Sequence, residues 1–261
     1  MSTIVLGEVY GLADRTAMNE SARADGTSQT EAALEMIRSR IIDLTISPGS
    51  RIDEPLLLRQ FGLGRTPARE AISRLAAEGF VHIQPNRGGV FVRKLDLAEI
   101  KQVLVAQQLV ETVTGQLYSH EDEGLAHDLA VIQERYRAEV IAGNNLEITA
   151  LNQQFHMRII STLGNEFFFD FAQSTYRHHR RLLVHLYTLE QATPQEQKHQ
   201  FALNLREHDA IIEAVRAGDR AAFAKLLPEH ARGAQDRFVR IVSSGTVPDL
   251  HLGLDAGSLQ D

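Results

Sequence analysis

The stretch that decides the fold of this chain is Arg65-Thr66-Pro67-Ala68-Arg69-Glu70-Ala71-Ile72-Ser73-Arg74-Leu75. Its apolar residues recur at helical spacing and predict one buried helix face, formed by Ala68, Ala71, Ile72 and Leu75. We expect Thr66 to cap this helix, because a threonine oxygen accepts a hydrogen bond from a free first-turn N–H. Pro67 would then occupy the first helical position, where its missing N–H costs nothing.

The opposite face of the same helix is basic and polar. Arg65 is expected just before the first turn, and Arg69 and Ser73 share an outer face as candidate DNA contacts. Cations are disfavoured at a helix N-terminus, so this placement indicates an anionic partner. Free N–H groups and guanidinium groups can contact phosphates and guanine edges in the major groove. A solvated helix with incidental arginines is the alternative, and the neighbouring segments distinguish the two.

The segments around this helix predict a winged helix-turn-helix over residues 30–94. An amphipathic helix is expected over 31–45 and a short second helix over 54–61. After the basic helix, two β-branched and aromatic runs predict a β-hairpin. Its Pro/Asn/Gly loop, residues 84–89, would be the wing, with Arg87 at the tip in reach of a groove or a phosphate.

The charge of the chain is divided between two regions. The 261 residues carry a formal net charge of −7, yet residues 30–94 hold 10 Lys and Arg against 7 Asp and Glu. Residues 95–261 hold 15 against 23 and are acidic. A local basic excess on an acidic protein is typical of a DNA-binding module joined to a partner domain.

The chain contains no cysteine, no apolar run of membrane-spanning length and no signal segment. We therefore expect a cytoplasmic protein with no disulfide, no thiolate metal site and no membrane partner. Residues 1–29 and 244–261 show no sustained period, which predicts a flexible N-terminal arm and a flexible tail.

Residues 95–243 predict a second, all-helical domain. Breaks at Gly, Asn and Pro divide it into six helical patterns, roughly 96–119, 122–142, 145–163, 166–188, 196–217 and 219–243. Asp219 is a suitable N-cap for the last helix, and Pro228 is expected to kink it. The predicted fold class is mainly α, with a winged helix-turn-helix followed by an antiparallel all-α bundle of about six helices.

Three of the bundle helices carry a histidine on an apolar face. Asn152 and His156 lie one turn apart on the third helix, and His208 and His230 lie on the fifth and sixth. A single histidine on such a face is more often a hydrogen-bonded core residue than a ligand. Three inward imidazoles with one oxygen ligand suit a divalent metal that keeps open coordination positions.

The motifs of residues 30–94 resemble those of the GntR regulators. The matching runs are Ser47-Pro48-Gly49-Ser50-Arg51-Ile52, Arg65-Thr66-Pro67-Ala68-Arg69-Glu70-Ala71-Ile72, Leu75-Ala76-Ala77-Glu78-Gly79-Phe80-Val81 and Gly88-Gly89-Val90-Phe91-Val92. The resemblance implies that Arg65, Thr66 and Arg69 lie at the DNA. It also implies that Gly88 and Gly89 of the wing lie beside the minor groove.

Residues 96–243 resemble the FadR-type FCD ligand-binding domain of the same superfamily. The run Asn152-Gln153-Gln154-Phe155-His156-Met157-Arg158-Ile159 is similar to its hallmark motif, and His208 and His230 match its other histidine ligands. Members with this motif commonly bind zinc or nickel and sense small carboxylates. The resemblance therefore implies a divalent ion, zinc or nickel, held by Asn152, His156, His208 and His230.

Two positions depart from the family pattern. The first motif residue is usually aspartate, and Asn152 supplies an oxygen without a charge, so a lower metal affinity is expected. Many members carry an arginine on the first bundle helix that meets the effector carboxylate, and here Gln107 stands near that position. Gln107 cannot form the paired, charged hydrogen bonds that an arginine makes to a carboxylate. The alternative effector contacts are Tyr176, Arg177, Arg180 and Arg181.

These observations predict a homodimeric GntR-type repressor that binds a palindromic operator and is released by a small carboxylate, with the bundle as effector-binding and dimerisation domain. The alternative is a metal-dependent enzyme built on the three histidines, which would need an acid or base beside the metal. Glu207 adjoins His208, but consecutive helical residues point about 100° apart, so Glu207 is expected to face away. His178 and His179 are expected on a solvated face. A regulator is therefore preferred to an enzyme.

Overall fold

The computed structural model describes residues 29–52, 55, 57, 62–84, 88–191 and 193–243. These residues form two compact units, and the boundary between them falls after Lys94. The arm predicted for 1–29, apart from Gln29, and the tail predicted for 244–261 lie outside the described residues, as does Arg87. In the part of the chain that is described, no helix is long and apolar enough to cross a membrane.

The first unit is a winged helix-turn-helix. Its elements in chain order are α1 (Gln29–Ile42), β1 (Arg51–Ile52), α2 (Arg65–Ala77), β2 (Val81–Gln84) and β3 (Gly89–Val92). The strands form an antiparallel sheet in the order β1-β3-β2. The hairpin matches the sequence prediction, whereas β1 was not predicted. The helix predicted over 54–61 falls outside the described residues except at Pro55 and Leu57, and Leu57 is buried in the core.

The start of α2 differs from the sequence prediction. Thr66 does not cap the helix, because Gly64 is the N-cap residue and no side chain makes a capping bond there. The carbonyl of Gly64 accepts from the N–H of Ala68 at 3.1 Å, so the helix begins at Arg65. Pro67 is therefore the third helical residue, where its missing N–H is still one of the unpaired first-turn donors. The Thr66 hydroxyl is left on the surface.

Polar contacts from α1 and its start fix the orientation of α2. The Arg38 guanidinium donates to both carboxylate oxygens of Glu78, at 2.8 and 2.6 Å, and is 3% exposed. The Thr30 hydroxyl of α1 donates to the carboxylate of Glu70 on α2 at 2.6 Å, and this bond is exposed to solvent. Bidentate arginine–carboxylate pairs fix direction as well as distance, so the C-terminal end of α2 is held against α1.

The second unit is a bundle of long helices. Their bounds are α3 (Leu97–Leu117), α4 (Leu125–Ala142), α5 (Asn145–Ser161), α6 (Glu166–Glu190), α7 (Pro194–Ala217) and α8 (Arg220–Ser243). The helices pack as a closed ring in the order α3, α8, α7, α4, α5, α6 and back to α3. A ring of this kind directs one side of every helix to a common interior, and that interior contains the predicted histidines.

Helices α3, α5, α6 and α8 of the bundle each begin at a side-chain cap. Asp219 accepts from the N–H of Ala222 at 2.9 Å, as predicted, and Asp96 caps α3 in the same way. Helix α8 runs without interruption through Pro228, whose carbonyl accepts from Gln108 of α3 at 3.0 Å. This hydrogen bond joins α8, the helix that carries His230, to α3.

Candidate functional site

The outer face of α2 exposes the residues predicted to contact DNA. Arg65, Thr66, Arg69 and Ser73 are all exposed, while Ala68, Ala71, Ile72 and Leu75 are buried. Because positions 65, 69 and 73 are spaced by four, their side chains lie along one stripe of the helix. The stripe begins at the helix N-terminus, where backbone N–H groups are free to meet a phosphate.

The base of the wing is built around two glycines and an arginine that the sequence did not single out as a contact. Arg51 of β1 donates from Nη2 to the carbonyl of Gly88 at 3.1 Å. A side chain at Gly89 would lie 2.9 Å from the ring of Phe91 and 3.2 Å from Nε of Arg51. Gly88 adopts a φ of +58° and is exposed. The glycines therefore let the chain turn and let Arg51 reach across the wing.

In the bundle, the three predicted histidines meet in the interior. The ligand atoms of His156, His208 and His230 lie within 4.8 Å of one another, and all three side chains are buried. Their rings are in mutual contact, with centroids 4.8 to 5.7 Å apart. Phe155 stacks on the His208 ring at 4.1 Å and 5°, which fixes the plane of that imidazole. The structure thus brings together residues from α5, α7 and α8.

Each histidine has an oxygen partner behind it on its Nδ1 side. His156 contacts Glu111 of α3 at 3.2 Å, His208 contacts Gln133 of α4 at 3.1 Å, and His230 contacts Glu207 of α7 at 2.8 Å. The partner oxygens that make these contacts are Glu111 Oε2, Gln133 Oε1 and Glu207 Oε2. Accepting from Nδ1–H fixes the tautomer that leaves the Nε2 lone pair for a metal ion. Glu111 and Gln133 were not identified from the sequence.

Two further atoms at the cluster support its fit to a divalent ion. Nε2 of His208 and Oδ1 of Asn152 are buried and have no hydrogen-bond partner in the structure. Buried polar atoms are rarely left unpaired, so such atoms indicate a missing ligand. Imidazole nitrogens and one oxygen are a donor set that suits zinc and nickel. Together they would hold such an ion, which supplies positive charge and open coordination positions.

The charge around the cluster differs from the sequence prediction. Glu207 does not face away, because its carboxylate reaches His230 on the neighbouring helix. Glu111 is 1% exposed and accepts a hydrogen bond from the Tyr176 hydroxyl as well as facing His156. Burial, followed by the charge of Glu111, raises the pKa of Tyr176 well above its ordinary value. Two carboxylates therefore lie directly behind the imidazoles and can offset much of an ion's charge.

Two buried imidazoles, those of His208 and His179, favour the neutral form. Burial lowers the pKa of His208 well below its ordinary value, with the neighbouring His230 and His156 acting in the same direction. Burial also lowers the pKa of His179 to about 3. Metal ligation requires neutral imidazole, so His208 does not need to lose a proton near neutral pH.

A cleft opens beside the histidine cluster. Its lining includes Gln107, Asn152, His156, His179, Asn204, Glu207, His230 and Arg237. The predicted effector contact Gln107 lines it, but Arg177 and Arg181 do not, and Arg181 is fully buried. His179 was expected on a solvated face and is instead 3% exposed on the cleft wall, while His178 is half-buried. The reason is that α6 is packed between α3 and α5, so its histidine at 179 faces inward.

Comparisons with known proteins agree with this architecture. The model of the bacterial regulatory proteins of the gntR family matches residues 29–92, and the model of the FCD domain matches residues 102–233. The chain is 25% identical over 203 residues to the gluconate operon transcriptional repressor of Bacillus subtilis, covering 77% of this chain and 81% of that protein.

Two solved structures share the fold. Escherichia coli McbR/YncC superimposes with a TM-score of 0.69 at 17% identity, covering 83% of this chain and 98% of that one. A putative GntR transcriptional regulator from Rhodococcus sp. RHA1 gives a TM-score of 0.67 at 22% identity, covering 84% and 99%.

Proposed function

The chain belongs to the gntR family of bacterial regulatory proteins and carries an FCD domain, and we propose that it is a homodimeric repressor whose bundle binds a divalent metal ion and a small carboxylate. It is a DNA-binding transcriptional regulator and not an enzyme, since the family and its relatives regulate transcription. Of the two functions that the histidines allowed, the metal-dependent enzyme is therefore set aside.

For the DNA-binding part, we propose that α2 enters the major groove. The exposed stripe of Arg65, Arg69 and Ser73 would contact bases and phosphates, with Thr66 beside it at the helix N-terminus. Gly88, Gly89 and the adjoining Arg87 would lie at the minor groove. A homodimer places two such helices on a two-fold axis, so the operator should be palindromic.

The ligand-binding part of the proposal depends on one observation. Three buried imidazoles have ligand atoms within 4.8 Å of one another, and each has an oxygen partner at Nδ1, which leaves Nε2 for an ion. We expect zinc or nickel there, with Asn152 as the oxygen ligand. A carboxylate would complete the coordination shell from the cleft side. The cytoplasm, where DNA is read, is the expected location.

The proposal is tested by operator binding of the full chain. The probe is a palindromic fragment selected from random DNA, and the readouts are mobility shift and sedimentation. We expect a 2:1 protein:operator complex that zinc or nickel together with a carboxylate weakens. A 1:1 complex would contradict the dimer. A response that is unchanged by metal and by every carboxylate would contradict the ligand-binding part while leaving DNA binding intact.

A further inference from the structure

The cleft contains buried polar groups that the metal cluster does not use. Oε1 of Gln107, both ring nitrogens of His179 and Oδ1 of Asn204 are buried without a hydrogen-bond partner in the structure. Gln107 is 2% exposed and His179 is 3% exposed. The side chain of Gln107 interacts with that of Tyr176, and its Oε1 remains for another partner. Unpaired groups of this kind cost free energy, so several in one cleft indicate a ligand.

The same cleft has little positive charge to offer. Among the described residues that line it, Arg237 is the only lysine or arginine. Its guanidinium forms a bidentate pair with Glu190, which is 2% exposed, and lies over the Tyr187 ring at 4.7 Å. Glu207 adds a negative charge on the same side. A free anionic group placed beyond the histidines would therefore be buried without a cation.

We infer that the cleft selects a monocarboxylate that carries hydroxyl groups, and that Gln107, His179 and Asn204 form the hydroxyl-binding subsite. This inference rests on the proposed function, because the carboxylate itself is taken to bind at the histidine cluster. A hydroxyl both donates and accepts, so it can pair with an amide oxygen and with either nitrogen of a neutral imidazole. A second carboxylate only accepts, and it would meet the amide oxygens and Glu207 unfavourably.

The test compares ligands of equal chain length on the full-length, nickel-loaded protein. The four-carbon set is threonate, butyrate and succinate, and the six-carbon set is galactonate, hexanoate and adipate. Calorimetry gives the affinities, and thermal unfolding gives an independent readout. Within at least one set, we expect the hydroxylated acid to bind about tenfold or more tightly than the other two acids. The reason is that the unsubstituted acid and the dicarboxylate both leave polar groups of the cleft without hydrogen-bond partners.

Three outcomes separate the inference from the proposed function. Preference for the hydroxylated acid supports both. Equal or tighter binding of the dicarboxylate overturns the inference and leaves the metal-carboxylate proposal standing. Binding of none of the six acids, with nickel bound, overturns the proposed carboxylate site and the inference with it.

Variants test the subsite residues directly. Asn204→Leu and His179→Phe should each reduce the affinity for the hydroxylated acid about tenfold or more, with little change for the unsubstituted acid. Gln107→Arg adds a cation to the cleft and should shift the preference toward the dicarboxylate. Gln116→Leu, on the exposed face of α3, is the matched control. Nickel content and melting temperature are measured for every variant, so that only folded, metal-loaded proteins are compared. Equal selectivity in wild type and in all three cleft variants would overturn the assignment.

Discussion

Nδ1 of His156 lies 3.2 Å from Oε2 of Glu111, and both side chains are 1% exposed. Glu111 comes from α3, whereas His156 comes from α5, so two helices far apart in the chain form this pair. The second carboxylate oxygen of Glu111 accepts from Tyr176 of α6. A buried carboxylate in this position fixes the imidazole tautomer, increases the basicity of Nε2 and compensates the charge of an ion.

Replacing Glu111 should therefore weaken metal binding without removing a ligand. Glu111→Gln keeps the shape and loses the charge, and we expect zinc or nickel affinity to fall by about 10- to 100-fold. The measurement is competition against a chelator of known affinity. The control is Glu229→Gln, an exposed carboxylate next to His230 on α8. Unchanged affinity in Glu111→Gln would mean that the carboxylate serves the fold and not the ion.

The second prediction concerns operator binding. Arg69→Ala should weaken it by about 1–3 kcal/mol if the guanidinium is bidentate to a guanine. The side chain is exposed on α2, so circular dichroism and melting temperature should not change. Arg216→Ala removes an exposed arginine from the bundle and is the charge-matched control. An Arg69→Ala protein that binds the operator within twofold of wild type would contradict the assignment.

Much of this architecture is predictable from sequence, because long helices repeat their apolar residues every 3.6 positions. The predicted pattern over 145–163, for example, corresponds to α5 at Asn145–Ser161. Helix ends are less certain, as Thr66 illustrates. Helix α2 begins after Gly64 because the backbone is extended at that residue. The spacing of apolar residues in the sequence carries no information about this backbone conformation.

The partners behind the histidines could not be predicted in the same way. Consecutive side chains of one helix point about 100° apart, so Glu207 is expected to point away from the direction of its neighbour His208. Its hydrogen-bond partner is instead His230, which lies on the neighbouring helix α8. One usable signal was present on α3. Gln107, Glu111 and Thr114 follow the i, i+4, i+7 spacing of a buried face, and a polar stripe there indicates a site. The sequence gives no information on which helix that stripe faces.

The third prediction concerns the neutral oxygen ligand. Asn152 is 3% exposed and its Oδ1 has no hydrogen-bond partner in the structure. Asn152→Asp adds a negative charge next to the three imidazoles, so we expect tighter metal binding. It should also reduce the dependence of metal affinity on carboxylate, since the ion then gains less from an added anion.

Calorimetry of metal binding with and without acetate or citrate measures both effects of Asn152→Asp. The control is Asn145→Asp, which adds the same charge at the start of α5, away from the histidines. Weaker metal binding in Asn152→Asp would show that Oδ1 is not a ligand. An unchanged carboxylate dependence would show that Glu111 and Glu207 already neutralise the ion.

The last prediction is a pH dependence of stability that arises from His179. Burial lowers the pKa of its imidazole to about 3, and the neighbouring His156 and His230 act in the same direction. In the unfolded chain a histidine titrates near 6.5. Below that pH the unfolded state binds a proton that the folded state does not accept until about pH 3. The stability contributed by neutral His179 is therefore lost as the pH falls through this window, by about 2 kcal/mol at pH 5.0 relative to pH 7.5.

Urea unfolding of the metal-free protein, followed by far-ultraviolet circular dichroism at pH 7.5 and pH 5.0, measures this loss. His179→Phe removes the titrating group and fills its buried space, so the difference in unfolding free energy between the two pH values should shrink by about 2 kcal/mol. His199→Phe, at an exposed position of α7, should behave as wild type. If His179→Phe retains the full pH dependence, the imidazole accepts its proton in the folded protein. The cleft would then be more open to water than the burial of His179 indicates.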